Sequence, residues 1–169
     1  MIVVKTERLT ISEITTADSD FMFRLLNSPK WLQFVGNRNI QTIEDATHYI
    51  EHIIRPSYEK NGFGYYKICL NEKETAVGIC GLVKRDFLDD IDIGYALLPE
   101  YEGEGYAFEA TQALFEYAES QLGLSNILAF TTPDNERSIH LLEKLGFSFV
   151  KTFLYPDTDE ELNLYASRV

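Results

Sequence analysis

Three apolar runs stand close together in the middle of this chain, each short enough for a strand. Gly64–Leu70 and Ala76–Val83 flank the polar turn Asn71–Thr75, and Ile91–Leu98 follows. Strands joined by short polar turns pair antiparallel. The next pattern is different. Over Glu104–Leu122, Ala107, Ala110, Leu114, Ala118 and Leu122 recur at helical spacing, while Glu109, Glu116 and Glu119 point elsewhere. A further apolar run, Asn126–Thr131, comes after that helix. Strand, helix, strand implies a crossover and a parallel pair. The chain therefore needs one mixed sheet with helices on both faces.

The remaining segments fit that plan. Val3–Ile14 is strand-like, and Ala17–Leu26 reads as a helix stopped by Asn27–Pro29. Lys30–Asn39 has no clear period. Thr42–Glu59 reads as a longer helix, opened by Thr42 with Asp45 three residues on, close to a capping box. Asn135–Leu145 is helical with Gly146 as its stop. Phe147–Leu154 and Leu162–Ala166 close the chain as strands. No repeat, low-complexity run or linker interrupts residues 1–169, so one domain is expected. The expected class is α/β, with a central mixed sheet of about six to seven strands and about four helices.

Charge narrows the partners. Fifteen Lys and Arg stand against 27 Asp and Glu, a net charge of −12. Nucleic acid and anionic membranes are bound through basic patches, so neither is an expected partner. No apolar run approaches the ~20 residues of a membrane span, and the N-terminus shows no signal peptide. A cytoplasmic location is expected. Cys69 and Cys80 are too few for a disulfide scaffold. They could face each other across the Asn71–Thr75 hairpin, and in a reducing compartment both stay free thiols. The acidity serves solubility, or it attracts a cationic partner.

Two segments carry chemistry. After the strand ending at Pro99, the turn Gly103-Glu104-Gly105 opens a helix. Glycines allow a close backbone approach, and the free N–H groups of a first helical turn suit a phosphate or pyrophosphate. The turn is neither a P-loop nor a dinucleotide fingerprint, and two such glycines also make an ordinary tight turn. In the second segment Asn135 and Ser138 share one face at a helix start. They either reach toward a ligand or cap the helix, with Asp134 or Asn135 as the N-cap.

Together, Asp92-Ile-Gly-Tyr-Ala-Leu-Leu-Pro-Glu-Tyr-Glu-Gly-Glu-Gly-Tyr-Ala107, Asn135-Glu-Arg-Ser138 and Leu141-Leu-Glu-Lys-Leu-Gly-Phe147 resemble the GCN5-related N-acetyltransferases (GNAT), in particular the RimJ/RimL-like branch. The resemblance starts at Thr6-Glu-Arg-Leu9 and covers nearly the whole chain. It implies the acyl-CoA N-acyltransferase fold, acetyl-CoA as donor and a primary amine as acceptor. By resemblance, Ala96, Leu97 and Leu98 hydrogen-bond the pantetheine arm. Glu102, Gly103, Glu104, Gly105, Tyr106 and Ala107 hold the pyrophosphate. Asn135 orients the cofactor near its thiol, and Ser138 also donates a proton to the leaving thiolate. Two departures weaken the expected cofactor grip: Glu102 and Glu104 are acidic beside the pyrophosphate, and Ile139 and His140 stand where relatives are often basic. Arg137 and Lys144 are nearby substitutes for contacts to the ribose phosphate.

The attacking amine must lose a proton, and a carboxylate is a usual base. Asp92 is the candidate, with Glu100 second; alternatively Asp92 belongs to a solvated acidic loop, Asp86–Asp92. Seven acids fall in Arg85–Glu104 (Asp86, Asp89, Asp90, Asp92, Glu100, Glu102, Glu104) against Arg85, which favours a cationic acceptor such as a peptide end, polyamine or aminoglycoside. With no activated nucleophile evident, attack is direct within a ternary complex. A non-catalytic acyl-CoA binder and a succinyl transferase are the alternatives. No metal is expected: His48-Tyr-Ile-Glu-His52 matches an inverted zinc-protease pattern but lacks a third ligand and carries Tyr49, Ile50, Ile53 and Ile54 at core spacing. His140 reads as a surface residue. Trp31 and Phe34 either line an acceptor pocket or pin a loop to the core. The acceptor is a small molecule or peptide, and the chain a monomer or homodimer.

Overall fold

The computed structural model describes residues 1–168. Eight strands form one mixed sheet: β1 (Ile2–Lys5), β2 (Leu9–Glu13), β3 (Tyr65–Leu70), β4 (Ala76–Val83), β5 (Asp92–Leu97), β6 (Leu128–Thr131), β7 (Ser148–Leu154) and β8 (Glu161–Ala166). Their order is β1-β2-β3-β4-β5-β6-β8-β7. Only β5 and β6 pair in parallel, across the helical crossover. The helices are α1 (Ser19–Leu26), α2 (Pro29–Phe34), α3 (Ile43–Tyr49), α4 (Arg55–Asn61), α5 (Tyr106–Leu122) and α6 (Glu136–Lys144).

The expected single strand Val3–Ile14 is a hairpin. Thr6 makes the turn without glycine or proline: its N–H donates to the Leu9 carbonyl at 2.8 Å, and the Leu9 N–H donates to Thr6 Oγ1 at 2.9 Å. The ambiguous stretch after Asn27 contains α2, started by Pro29 in the first turn. The helix expected over Thr42–Glu59 forms, and Thr42 and Asp45 close a capping box. It is divided by a π-helical turn at Ile50–Ile54. Pro56 has no N–H for the carbonyl of His52, which explains the local widening. Through this turn Ile50 and Ile54 face inward, whereas Ile53 is exposed, contrary to its expected core position.

The sheet carries two apolar layers. On one face α1–α4 bury Met22, Leu25, Trp31, Ile50 and Ile54 with Ile79. On the other, α5 buries Ala110, Leu114 and Ala118 against Leu9, Ile11, Ile68, Leu82 and Ile93. Val77 is the extra residue of a bulge opposite Ile68 and Cys69, so it packs with Cys80 and Leu82 and not with Ile79. The β3–β4 register also corrects the cysteine expectation. Cys69 lies opposite Ala76 and Cys80 opposite Tyr66, so the two thiols do not face each other, and both are free. No helix among the described residues is long and apolar enough to cross a membrane.

Gly78 sets the approach of β4 to β5. A Cβ there would lie 2.3 Å from the Ala96 carbonyl oxygen and 3.0 Å from Leu97 Cα, both backbone atoms. Gly78→Ala is therefore expected to destabilise the fold by about 1–3 kcal/mol, read as a lower urea midpoint at unchanged slope.

Candidate active site

Strands β5 and β6 meet at one end and part at the other. The Leu128 N–H donates to the Ile91 carbonyl at 2.9 Å, and their register holds at one pair, Asp92 with Leu128. Beyond that vertex the two strands open into a cleft of about 910 Å³. A parted strand pair leaves backbone N–H and C=O groups on the β5 edge without sheet partners.

The mouth of the cleft meets the start of α5. Gly103 and Gly105 adopt φ of +84° and +81°, conformations that cost a side-chain-bearing residue strain. This is why the helix begins at Tyr106, later than its periodicity suggested. The first amides of α5 have no partner within the helix and carry its positive end. Gly103, Gly105, Ala107 and Phe108 line the cleft there. Thr111, one turn further, lines it with a buried Oγ1 that has no hydrogen-bond partner, and the buried Trp31 Nε1 is likewise unpartnered. Nothing in the sequence marks Thr111 as special.

The N-terminal hairpin braces this loop. Arg8 donates through Nη1 to the Glu104 carbonyl at 2.9 Å and through Nε to Glu109 Oε2 at 2.6 Å, and stacks 4.7 Å above the Tyr106 ring. Thr6 Oγ1 and the Arg8 N–H both donate to Glu109 Oε1. Thr6-Glu-Arg-Leu9 is thus a clamp on the start of α5.

Most sequence-predicted site residues converge. Asp92, Ala96, Leu97, Glu102, Gly103, Gly105, Ala107, Asn135 and Ser138 all line the cleft. Leu98 does not: its side chain is buried among the α1–α3 residues, its N–H donates to Val77, and its carbonyl accepts from Tyr101. Glu104 and Tyr106 also stand outside the lining, held by Arg8. Asn135 is the N-cap of α6, its Oδ1 accepting from the Ser138 N–H at 3.3 Å. Capping and cleft lining coincide in one side chain.

The acids differ from their sequence reading. Asp92 is only 3% exposed and belongs to no solvated loop. Burial pushes its carboxyl up to about 6, although the Arg85 guanidinium, with Nε 2.8 Å away, opposes the rise. Glu102 is half-buried, and its Oε2 pairs with both Lys30 of α2 and Arg137 of α6. Glu100 pairs with Arg24 outside the lining. Asp86, Asp89 and Asp90 are exposed and also outside it. Lys144 covers the Phe108 ring at 4.1 Å. His140 is exposed and lines the cleft. Sequence reasoning missed Tyr95, a cleft residue whose phenol burial raises, with Ser138 beside it opposing the shift. Trp31 and Phe34 line the cleft, and Trp31 is also core. His48 and His52 stack, ring centroids 3.8 Å apart, with His52 Nδ1 3.0 Å from the His48 carbonyl oxygen, and no metal-binding group of His, Cys, Asp or Glu exists among the described residues.

Glu109 gives the clamp a pH dependence. Burial alone would raise its carboxyl, but hydrogen bonds from Thr6 and Arg8 outweigh that and hold it below the ordinary 4.5. A depressed carboxyl stabilises the fold above its unfolded value and loses that contribution as pH falls through its folded value. Acid titration of the unfolding midpoint should therefore fall less steeply below pH 4.5 in Glu109→Gln than in the unmodified protein.

Known proteins can now be set beside this geometry. Residues 8–148 match the family model described as an acetyltransferase (GNAT) domain. The chain is 29% identical over 170 residues to the uncharacterised N-acetyltransferase YoaA of Bacillus subtilis, covering 97% of this chain and 95% of that protein. It is 30% identical over 143 residues to the uncharacterised N-acetyltransferase p20 of Bacillus licheniformis, covering 84% and 80%. An acetyltransferase structure from Agrobacterium tumefaciens superposes with a TM-score of 0.81 at 25% identity, covering 98% of this chain and 94% of its own. The ribosomal L7/L12 α-N-protein acetyltransferase RimL in complex with coenzyme A shares the fold at a TM-score of 0.81 and 16% identity, covering 98% and 97%. With its splayed parallel pair opening onto a glycine-started helix, the chain belongs to the GNAT acetyltransferase family and is an N-acetyltransferase.

Proposed function

We propose that the cleft binds acetyl-CoA and that the protein transfers its acetyl group directly to a primary amine, as a single catalytic domain of the RimJ/RimL-like branch. The observation that carries this is the continuity of one cleft from the unpartnered β5 edge to the first turn of α5, with Asp92 and Ser138 on its wall. The groups present fit the donor. Backbone at Leu97 suits the amides of a pantetheine arm, whereas the Ala96 carbonyl faces β4 at Gly78; the α5 amides with Gly103, Gly105 and Ala107 suit a pyrophosphate, and the orphaned Thr111 hydroxyl lacks only a partner. Glu102 is no obstacle, because Lys30 and Arg137 already neutralise it. Leu98 has no free backbone group for this work.

In the reaction the amine nitrogen attacks the thioester carbonyl carbon. A C–N bond forms, the C–S bond breaks and the coenzyme A thiolate leaves. Asp92 accepts the proton the amine loses, directly or through water, and its raised carboxyl suits a base working near neutrality. Ser138, next to the Tyr95 phenol, passes a proton to the thiolate and is re-protonated through solvent as Asp92 gives up the proton it took. The acceptor is a small amine or a peptide amino terminus. The spermidine N1-acetyltransferase of Escherichia coli is 38% identical over 50 residues, 30% of this chain, which supports an amine acceptor without defining its charge.

Calorimetric titration with acetyl-CoA, then acceptor-dependent thiol release, tests the reading. Saturable binding without release under any acceptor would leave an acyl-CoA binder in its place. Asp92→Asn should lower kcat about 100-fold or more with acetyl-CoA affinity unchanged. In the unmodified protein kcat/KM should fall as pH drops through about 6, where Asp92 protonates, and the variant should lose that limb. Ser138→Ala should lower kcat more than it weakens donor binding.

A further inference from the structure

The cleft has a second end, at the vertex by Asp92, built from different residues than the phosphate end. Arg38, Arg85 and Asp92 gather around Tyr65 there, with the Phe130 ring 5.0 Å from the Arg85 guanidinium. The charges there do not match a cationic acceptor. Of the seven acids between Arg85 and Glu104, only Asp92 and Glu102 line the cleft, and both are ion-paired. Arg38 is exposed and enters no ion pair among the described residues. Arg85 uses only Nε on Asp92, and its terminal N–H groups donate to no side chain or carbonyl among the described residues. The Tyr65 hydroxyl also makes no hydrogen bond there, and its proton is held firmly, because desolvation pushes the phenol up to about 12. Arg38 lies close enough to Tyr49 and Tyr65 for its charge to stabilise both phenolates. Two guanidiniums, one of which also bonds the Tyr49 phenol, and the Tyr65 hydroxyl thus offer donors beside the ion-paired Asp92 and the exposed Glu160.

We infer that the acceptor amine carries a carboxylate a few bonds from its nitrogen, and that Arg38, with Tyr65 and the free edge of Arg85, binds that carboxylate. The inference deepens the acetyltransferase reading and rests on it for the chemistry, though not for the binding. A guanidinium fork matches a carboxylate in shape and charge. Glu160, whose carbonyl accepts from the N–H of the cleft residue Tyr155, brings an exposed carboxylate to the same rim for the ammonium. Two sources present such a group: a free amino acid, through its α-carboxylate, and a peptide whose first residue is acidic. The transfer itself is unchanged: the amine gains the acetyl, and its proton goes to the Asp92 side of the cleft.

Trp31 is the single tryptophan in the sequence and lines the cleft, so its fluorescence reports acceptor binding whether or not acetyl is transferred. Four probes are titrated into the coenzyme A-saturated protein: free aspartate, a tripeptide amide beginning with aspartate, the same peptide beginning with asparagine, and spermidine. At least one acidic probe should bind about tenfold or more tighter than the asparagine peptide, as expected for a charge-assisted contact. Arg38→Gln should abolish that preference while leaving acetyl-CoA affinity intact, and Arg38→Lys should restore part of it. Preference for free aspartate identifies an amino acid, and preference for the peptide an amino terminus. Equal binding of the acid and amide peptides with no binding of free aspartate, tighter binding of spermidine, or an unchanged preference in Arg38→Gln would each overturn the inference. Acid-selective binding without thiol release would support the subsite and overturn the catalytic reading, so the two fail separately.

Discussion

The parting of β5 from β6 is the constraint on which the rest of this structure depends. A parallel pair that kept its ladder would satisfy its own backbone and leave no room between strands. Here one register pair holds the vertex, and the freed edge becomes a wall of donors and acceptors. The Arg85–Asp92 ion pair sits at that vertex, where the two strands still touch. A carboxylate so placed is desolvated by the sheet and reached only from the open side. The same geometry that makes the cleft therefore also tunes the acid within it.

Electrostatics inside the cleft bear little relation to the charge of the whole chain. The net charge of −12 belongs mostly to outer surfaces, and the exposed acids at 86, 89 and 90 contribute nothing to the lining. Glu102 illustrates the local arrangement. It stands where an anion would settle and draws Lys30 and Arg137 together before any ligand arrives.

The sequence revealed those parts whose signals are local. The strands around Asn71–Thr75, the capped helix at Thr42 and the glycine turn before α5 each follow from neighbours in the chain. The hairpin at Thr6–Arg8 was hidden because its turn carries no glycine or proline and is braced by Glu109, a residue far along the chain. The π turn at Ile50 depends on Pro56, whose effect reaches back a full turn into a run that otherwise reads as helix. In the site, the motif residues were legible by resemblance. Arg38, Tyr65 and Thr111 were not, since nothing but the folded cleft brings a residue of the α2–α3 connection, a β3 tyrosine and an α5 threonine to one wall. Leu98 was misplaced because a strand-end residue in the pattern turned out to have both backbone groups engaged.

The bond between Thr6 and Glu109 spans 103 residues. Its length has a bearing on how the chain comes into being. During synthesis, which runs from the N-terminus at about 5–20 residues per second, the first hairpin emerges several seconds before its brace exists. Until β3 is made and pairs with β2, β1 and β2 are a lone pair, and such pairs are marginal alone; the brace from α5 comes later still. Long-range closure of this kind slows folding and prolongs the exposure of strand edges. The loop that Arg8 steadies is consequently among the last parts of the molecule to acquire its final shape.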